Sequence, residues 1–127
     1  MTKKILVIDD SLLIRRLISS AASVLSVECV GVSDGAKALE MLGAHPDDFS
    51  LVCLDWNMPN MDGFECLTAI RSDPRWKELP ILMVTTEGSR DSILSALKAG
   101  ATAYLTKPFA EPDLQAKLMD CLGMGFD

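Results

Sequence analysis

The sequence predicts a doubly wound α/β fold, a parallel sheet of five strands with helices packed on both faces. Two observations carry that prediction. Short apolar, β-branched runs alternate with segments whose apolar residues recur at helical spacing, and the alternation repeats five times. Four of the apolar runs are also followed at once by a polar cluster: Asp9-Asp10-Ser11, Asp55-Trp56-Asn57-Met58-Pro59, Thr85-Thr86-Glu87 and Lys107-Pro108. In an open parallel sheet the carboxyl ends of the strands gather along one edge, so residues far apart in the chain can meet in one crevice.

Each element has a local reason. Lys4 to Ile8 is apolar and strand-like, and Ser11 to Leu25 carries Leu13, Leu17, Ile18, Ala21 and Leu25 at helical spacing. Val27 to Val32 reads as a second strand. Ser33-Asp34-Gly35 then offers a cap for a helix with Ala38, Leu39, Met41 and Leu42 inward, ended by Gly43. Leu51 to Leu54 is a continuous apolar run, as expected of a central strand covered on both faces. Asp62 can cap a helix from Gly63 to Arg71, with Phe64, Leu67 and Ile70 inward, before Asp73-Pro74 breaks the pattern. Pro80 precedes the buried run Ile81 to Val84. Ser89 or Asp91 starts a helix bearing Ile93, Leu94 and Leu97, with Gly100 as its stop. Ala103 to Thr106 is the last strand, and Pro112 opens a helix with Leu114, Leu118 and Cys121 inward.

With 127 residues, 49% of them hydrophobic, the chain has the length and composition of one compact domain spanning 1–127, and a soluble one. A net charge of -6 argues against a basic face for nucleic acid or an anionic membrane, so proteins or small phosphorylated molecules are the expected partners. No segment is apolar for long enough to span a bilayer, and the Met1-Thr2-Lys3-Lys4 start is unlike a signal peptide, so a cytoplasmic location is expected. Cys29, Cys53, Cys66 and Cys121 are widely spaced, and His45 is the single histidine. That leaves no set of soft metal ligands and reads as reduced structural thiols.

The strand ends carry the chemistry. Asp9, Asp10 and Asp55 would follow the first and third strands, neighbours in the flavodoxin-like order 2-1-3-4-5, so their carboxylates can converge. Like charges about 4 Å apart repel by roughly 4 kcal/mol per pair at an effective dielectric near 20. A hard divalent cation relieves that, and carboxylates, a backbone carbonyl and waters are a ligand set suited to magnesium. The plainer reading of Asp9-Asp10-Ser11 is a helix cap formed by Asp10 or Ser11. Asp55 resists such a reading, because Trp56-Asn57-Met58-Pro59 cannot start a helix at once. Lys107 is pushed toward an extended backbone by Pro108, over the crevice, and Thr85 would project its hydroxyl toward a bound anion.

Taken together, Asp9-Asp10-Ser11, Asp55 with Asn57-Met58-Pro59 and Asp62-Gly63, Thr85, and Lys107-Pro108-Phe109 resemble the receiver domain of two-component response regulators. The resemblance spans essentially the whole chain, and five ordered motifs make it specific. With Glu87 two residues after Thr85, and Tyr104 on the fifth strand, it is similar in particular to the stand-alone chemotaxis type.

The resemblance implies that Asp55 accepts a phosphoryl group from a phosphohistidine on a sensor histidine kinase. It implies Mg2+ held by Asp10, Asp55 and the backbone carbonyl of Asn57, with Asp9 acting through water and with Lys107 and Thr85 neutralising the transferred group. It implies a signalling domain with self-catalysed phosphotransfer and dephosphorylation only, switched through Thr85 and Tyr104. Its output surface would be the fourth helix, fifth strand and fifth helix. That surface would act on an output protein such as the flagellar motor switch, with a phosphatase as a further partner. Two positions depart from the family pattern. Thr86 stands where a small Ala or Gly is usual. Ser89-Arg90 replaces two lysines of chemotaxis members, leaving Arg90 and Lys117 as the basic residues expected beside Tyr104. Alternatives are a receiver in a non-chemotaxis phosphorelay and a small Asp-dependent phosphatase, which wants Asp-x-Asp-x-Thr after the first strand. A flavin carrier would need a hydroxyl- and Gly-rich phosphate loop at that place.

Overall fold

A computed structural model describes residues 3–124 and carries five strands and five helices in strict alternation. They are β1 (Lys4–Ile8), α1 (Leu12–Val24), β2 (Cys29–Val32), α2 (Gly35–Ala44), β3 (Phe49–Leu54), α3 (Gly63–Ser72), β4 (Ile81–Thr85), α4 (Arg90–Lys98), β5 (Ala103–Thr106) and α5 (Glu111–Leu122), with a single 3-10 turn at Pro74–Trp76. All strand pairs are parallel and the order is β2-β1-β3-β4-β5. The connection after β1 leads to β2 on one side and the connection after β3 leads to β4 on the other, which opens a crevice at the carboxyl ends of β1 and β3.

The period-two alternation of a strand divides the interior into two layers. On one face Leu6 and Ile8 of β1 pack with Ala38 and Leu42 of α2, Cys66, Leu67 and Ile70 of α3, and Ala96 of α4. On the other, Ile5 and Val7 pack with Ile18, Ala21 and Ala22 of α1 and Leu114, Leu118 and Cys121 of α5. A sheet covered on both faces requires apolar residues at every position of its central strands, and Leu51–Leu54 and Ile81–Val84 are fully buried.

Helix ends follow side-chain chemistry. Ser11, Asp34, Asp62 and Ser89 accept amide hydrogens three residues on, and Asp62 forms a full capping box with Glu65. The sequence expectations miss at five places. Leu13 and Leu17 are 66% and 44% exposed, because the inner face of α1 runs through Ile18, Ala21 and Ala22, whose small alanines let the helix sit close to the sheet. Leu94 and Leu97 likewise face outward while Ala96 is buried. Gly43 does not end α2, which continues to Ala44 and is capped at His45. β2 starts at Cys29 rather than Val27, and β3 starts at Phe49 rather than Leu51.

Arg71 ties the far end together by donating to the carbonyls of Trp76 (2.7 Å) and Gly100 (2.9 Å). Gly100, with φ of +113°, lies in the left-handed region that ends α4. All four cysteines are free thiols; burial raises Cys29 to about 11 and Cys66 to about 12, so these two stay protonated and inert. No helix of the described residues is long and apolar enough to cross a membrane.

Gly63 is the tightest point, since a Cβ there would lie 2.2 Å from the Asp55 carbonyl oxygen. Gly63→Ala should lower stability by about 1–3 kcal/mol in urea unfolding. Gly43→Ala, where a Cβ meets nothing within 4 Å, should raise it by about 0.5–1 kcal/mol.

Candidate functional site

Parallel pairing brings the acids together. Ile8, last of β1, is in register with Leu54, last of β3, so Asp9 and Asp55 emerge side by side. The two strand ends stay locked beyond the sheet by the Asp55 amide on the Ile8 carbonyl (3.0 Å) and the Asp9 amide on Val32 (3.1 Å). Carboxylate oxygens of Asp9, Asp10 and Asp55 all lie within 4.8 Å of one another. Asp9 and Asp55 are buried and Asp10 is exposed.

The cap at this strand end is Ser11, whose hydroxyl accepts from Ile14, while the Ser11 amide donates to Asp9 at 2.9 Å. None of these bonds engages the Asp10 carboxylate, which is left available to a ligand. Lys107 crosses the crevice from the end of β5, through a cis Lys107-Pro108 bond. Its ammonium is 2.8 Å from Asp9 and 3.4 Å from Asp55, with only 12% of the side chain exposed. One cation thus faces three carboxylates, an excess of negative charge that suits a further hard cation with oxygen ligands.

Around the mouth, the Asn57 amide approaches Asp55 Oδ1 at 3.4 Å, and its side chain donates to the Thr86 hydroxyl at 3.4 Å. Thr85 is buried and accepts the Glu87 amide at 3.2 Å. The Tyr104 hydroxyl donates to the Glu87 carbonyl, and the Glu87 carboxylate accepts from Ser92 at 2.9 Å and Ser89 at 3.3 Å. Tyr104 is therefore joined to the loop after β4. Burial first, and then the Glu87 and Asp55 charges, raise its phenol above the ordinary value. Arg90 opens α4 at the surface, and Lys117 is half-buried on α5; among the described residues neither bonds Tyr104.

The structure thus gathers Asp9, Asp10, Asp55 and Lys107 at one point, with Asn57 on the loop after β3, Thr85 at the end of β4, and Tyr104, Arg90 and Lys117 further out. Two residues went unread in the sequence. Arg15 donates to the Asp9 carbonyl at 2.7 Å, and Gly31 on β2 accommodates the Arg15 side chain. An arginine early in a helix after two aspartates was the available signal, hidden because arginine on a helix usually faces water.

Burial raises the Asp9 carboxyl above its ordinary value; the Lys107 and Ser11 bonds pull it down, and the Asp55 charge adds to the rise. The folded chain therefore holds this proton more tightly than the unfolded chain. The stability it contributes is present below the unfolded value and lost as pH rises through the folded one. In EDTA, the stability of Asp9→Asn relative to the native sequence should grow across that window, as read by urea unfolding at a series of pH values.

Residues 5–119 match the family described as response regulator receiver domain. The chain is 45% identical over 121 residues to the chemotaxis protein CheY1 of Helicobacter pylori, covering 94% of this chain and 97% of the relative. Among solved structures, CheY4 of Vibrio cholerae superposes with a TM-score of 0.86 at 35% identity, covering 96% of this chain and 100% of that one. The Mn2+-bound form of response regulator Rcp1 superposes with a TM-score of 0.79 at 27% identity, covering 96% and 91%. The fold, the strand-end acids and these likenesses agree: the chain belongs to the response regulator receiver domain family and is of the chemotaxis CheY type.

Proposed function

We propose that this chain is a phosphorylation-activated signalling receiver in motility control, with Asp55 as phosphoacceptor and a histidine kinase as donor. The observation that carries the reading is the placement of Asp55, buried at the end of the central strand, within reach of both the Lys107 ammonium and two further carboxylates. The phosphorus–nitrogen bond of the donor breaks, a phosphorus–oxygen bond to the Asp55 carboxylate forms, and the imidazole leaves with the electron pair. Lys107 neutralises charge on the transferred group, and Thr85 supplies a hydroxyl from the end of the neighbouring strand β4.

The donor set fits Mg2+ in its chemistry: hard oxygens, one exposed carboxylate without an internal partner, and a net negative charge. Asp10, Asp55 and the Asn57 carbonyl would hold the ion, with Asp9 acting through water. When bound, the ion supplies charge neutralisation for the incoming phosphoryl group. The Mn2+-bound state of Rcp1 supports a divalent cation in this fold.

The signal leaves through the loop after β4. A phosphoryl group on Asp55 offers new acceptor oxygens to the Thr85 hydroxyl, which now accepts the Glu87 amide. Moving Thr85 disturbs the segment that also receives the Tyr104 hydroxyl, so α4, β5 and α5, with Arg90 and Lys117, form the responsive surface. The flagellar motor switch is the proposed cytoplasmic output partner, with a phosphatase as a further partner beside the site's own hydrolysis of the Asp55 acyl phosphate.

Asp55→Asn should abolish Mg2+-dependent labelling by a small acyl phosphate, measured by intact mass; labelling at unchanged stoichiometry would defeat the reading. Thr86→Ala, which removes the partner of the Asn57 side chain over the mouth, should shorten the lifetime of the phosphorylated form several-fold in a chase experiment. Saturating Mg2+, at about 100 times its Kd, should stabilise the native sequence by roughly 2.7 kcal/mol, and Asp10→Asn should remove most of that gain.

A further inference from the structure

We infer that Arg15 is a positioning residue for the divalent-cation site, and that Gly31 on the neighbouring strand is small so that Arg15 can reach its place. The inference rests on the reading of Asp9, Asp10 and Asp55 as that site.

Asp10 has to be aimed by its backbone, because no side-chain hydrogen bond of the β1–α1 segment fixes its carboxylate. The carbonyl of Asp9 and the amide of Asp10 belong to one planar peptide unit, so holding the carbonyl oxygen sets the direction from which Asp10 departs. Arg15 Nη1 holds that oxygen at 2.7 Å. A bond with a charged donor is stronger and shorter than a neutral one, and the guanidinium is planar and always protonated. The Asp9 end of the same peptide is fixed independently, by the Asp9 amide on Val32 and the carboxylate on Ser11 and Lys107. Arg15 therefore supplies the restraint on the Asp10 side.

Gly31 makes the reach feasible. It lies on β2 in register with Val7 of β1, two residues before Asp9. A Cβ at Gly31 would stand 2.9 Å from Arg15 Cδ and 3.3 Å from its Nε. The arginine stem thus runs flat across the glycine on its way from α1 to the strand end. Any side chain at 31 would displace it. On strand propensity alone β2 would favour valine over glycine at this position, so the glycine reflects this crossing.

The test is Mg2+ titration of the full chain, followed by the emission of Trp56 beside Asp55 and by calorimetry, with urea midpoints in EDTA for every variant. Arg15→Met should raise the apparent Kd about tenfold, the low end of what loss of a supporting group around a metal costs. Gly31→Val, on a different element and with the guanidinium intact, should give a rise of similar size. Arg15→Lys, which can still donate to the carbonyl, should recover part of the affinity. The EDTA midpoints should stay close to that of the native sequence. Unchanged Kd in Arg15→Met and Gly31→Val would overturn the inference, as would losses of affinity that only track lowered midpoints. A native chain that labels at Asp55 yet shows no Mg2+ response would overturn the cation reading and this inference with it, while leaving the phosphoacceptor assignment standing.

Discussion

Everything at the working end of this protein follows from one electrostatic constraint: three carboxylates held within 4.8 Å by a backbone that cannot let them separate. Asp9 and Asp55 stand on neighbouring parallel strands whose hydrogen bonds continue past the sheet, and both are buried. At Asp9, burial and the Asp55 charge both favour protonation, and its raised value records that tension. Lys107, brought from 98 residues along the chain, answers only part of the charge. A site that keeps such an excess is prepared for a cation and for a group that arrives with its own negative charge.

The rest of the fold serves to hold that constraint rigid. Two apolar layers clamp β1 and β3 from both sides, so neither strand can tilt to relieve the repulsion. Gly63 lets the start of α3 pack directly against the Asp55–Trp56 backbone, with its amide donating to the Trp56 carbonyl at 2.8 Å. In contrast, the loop after β4 is built from exposed or half-buried polar residues linked by Glu87, Ser89 and Ser92, with Tyr104 attached. A rigid acid cluster beside an exposed loop is an arrangement in which local chemistry can be converted into a change of surface.

How much of this was legible in the sequence depends on what each feature needs. The sheet, its order and the convergence of Asp9, Asp10, Asp55 and Lys107 follow from period, strand length and the polar clusters at strand ends, and these were read correctly. The helix faces were less legible. Leu13, Leu17, Leu94 and Leu97 look like core residues by hydrophobicity, yet the structure buries Ala22 and Ala96 instead, because close helix-to-sheet packing rewards small side chains that a hydropathy pattern undervalues. Gly43 looked like a stop, yet it stays within the helix and α2 runs on to its cap at His45, whereas Gly100 takes the left-handed backbone that follows α4. The Arg15 contact with Asp9 was signalled only by an arginine early in a helix after two aspartates, and it stayed hidden because it also depends on Gly31 of the next strand lying beneath the arginine stem.

The most direct test of the central claim is to locate the phosphorylated carboxylate chemically. The protein would be treated with Mg2+ and a small acyl phosphate, reduced with borohydride to convert an aspartyl phosphate to homoserine, digested and mapped by mass spectrometry. The account predicts homoserine at position 55 and unmodified aspartate at 9 and 10. Homoserine at 9 or 10, or none anywhere in a chain shown to be folded, would contradict it.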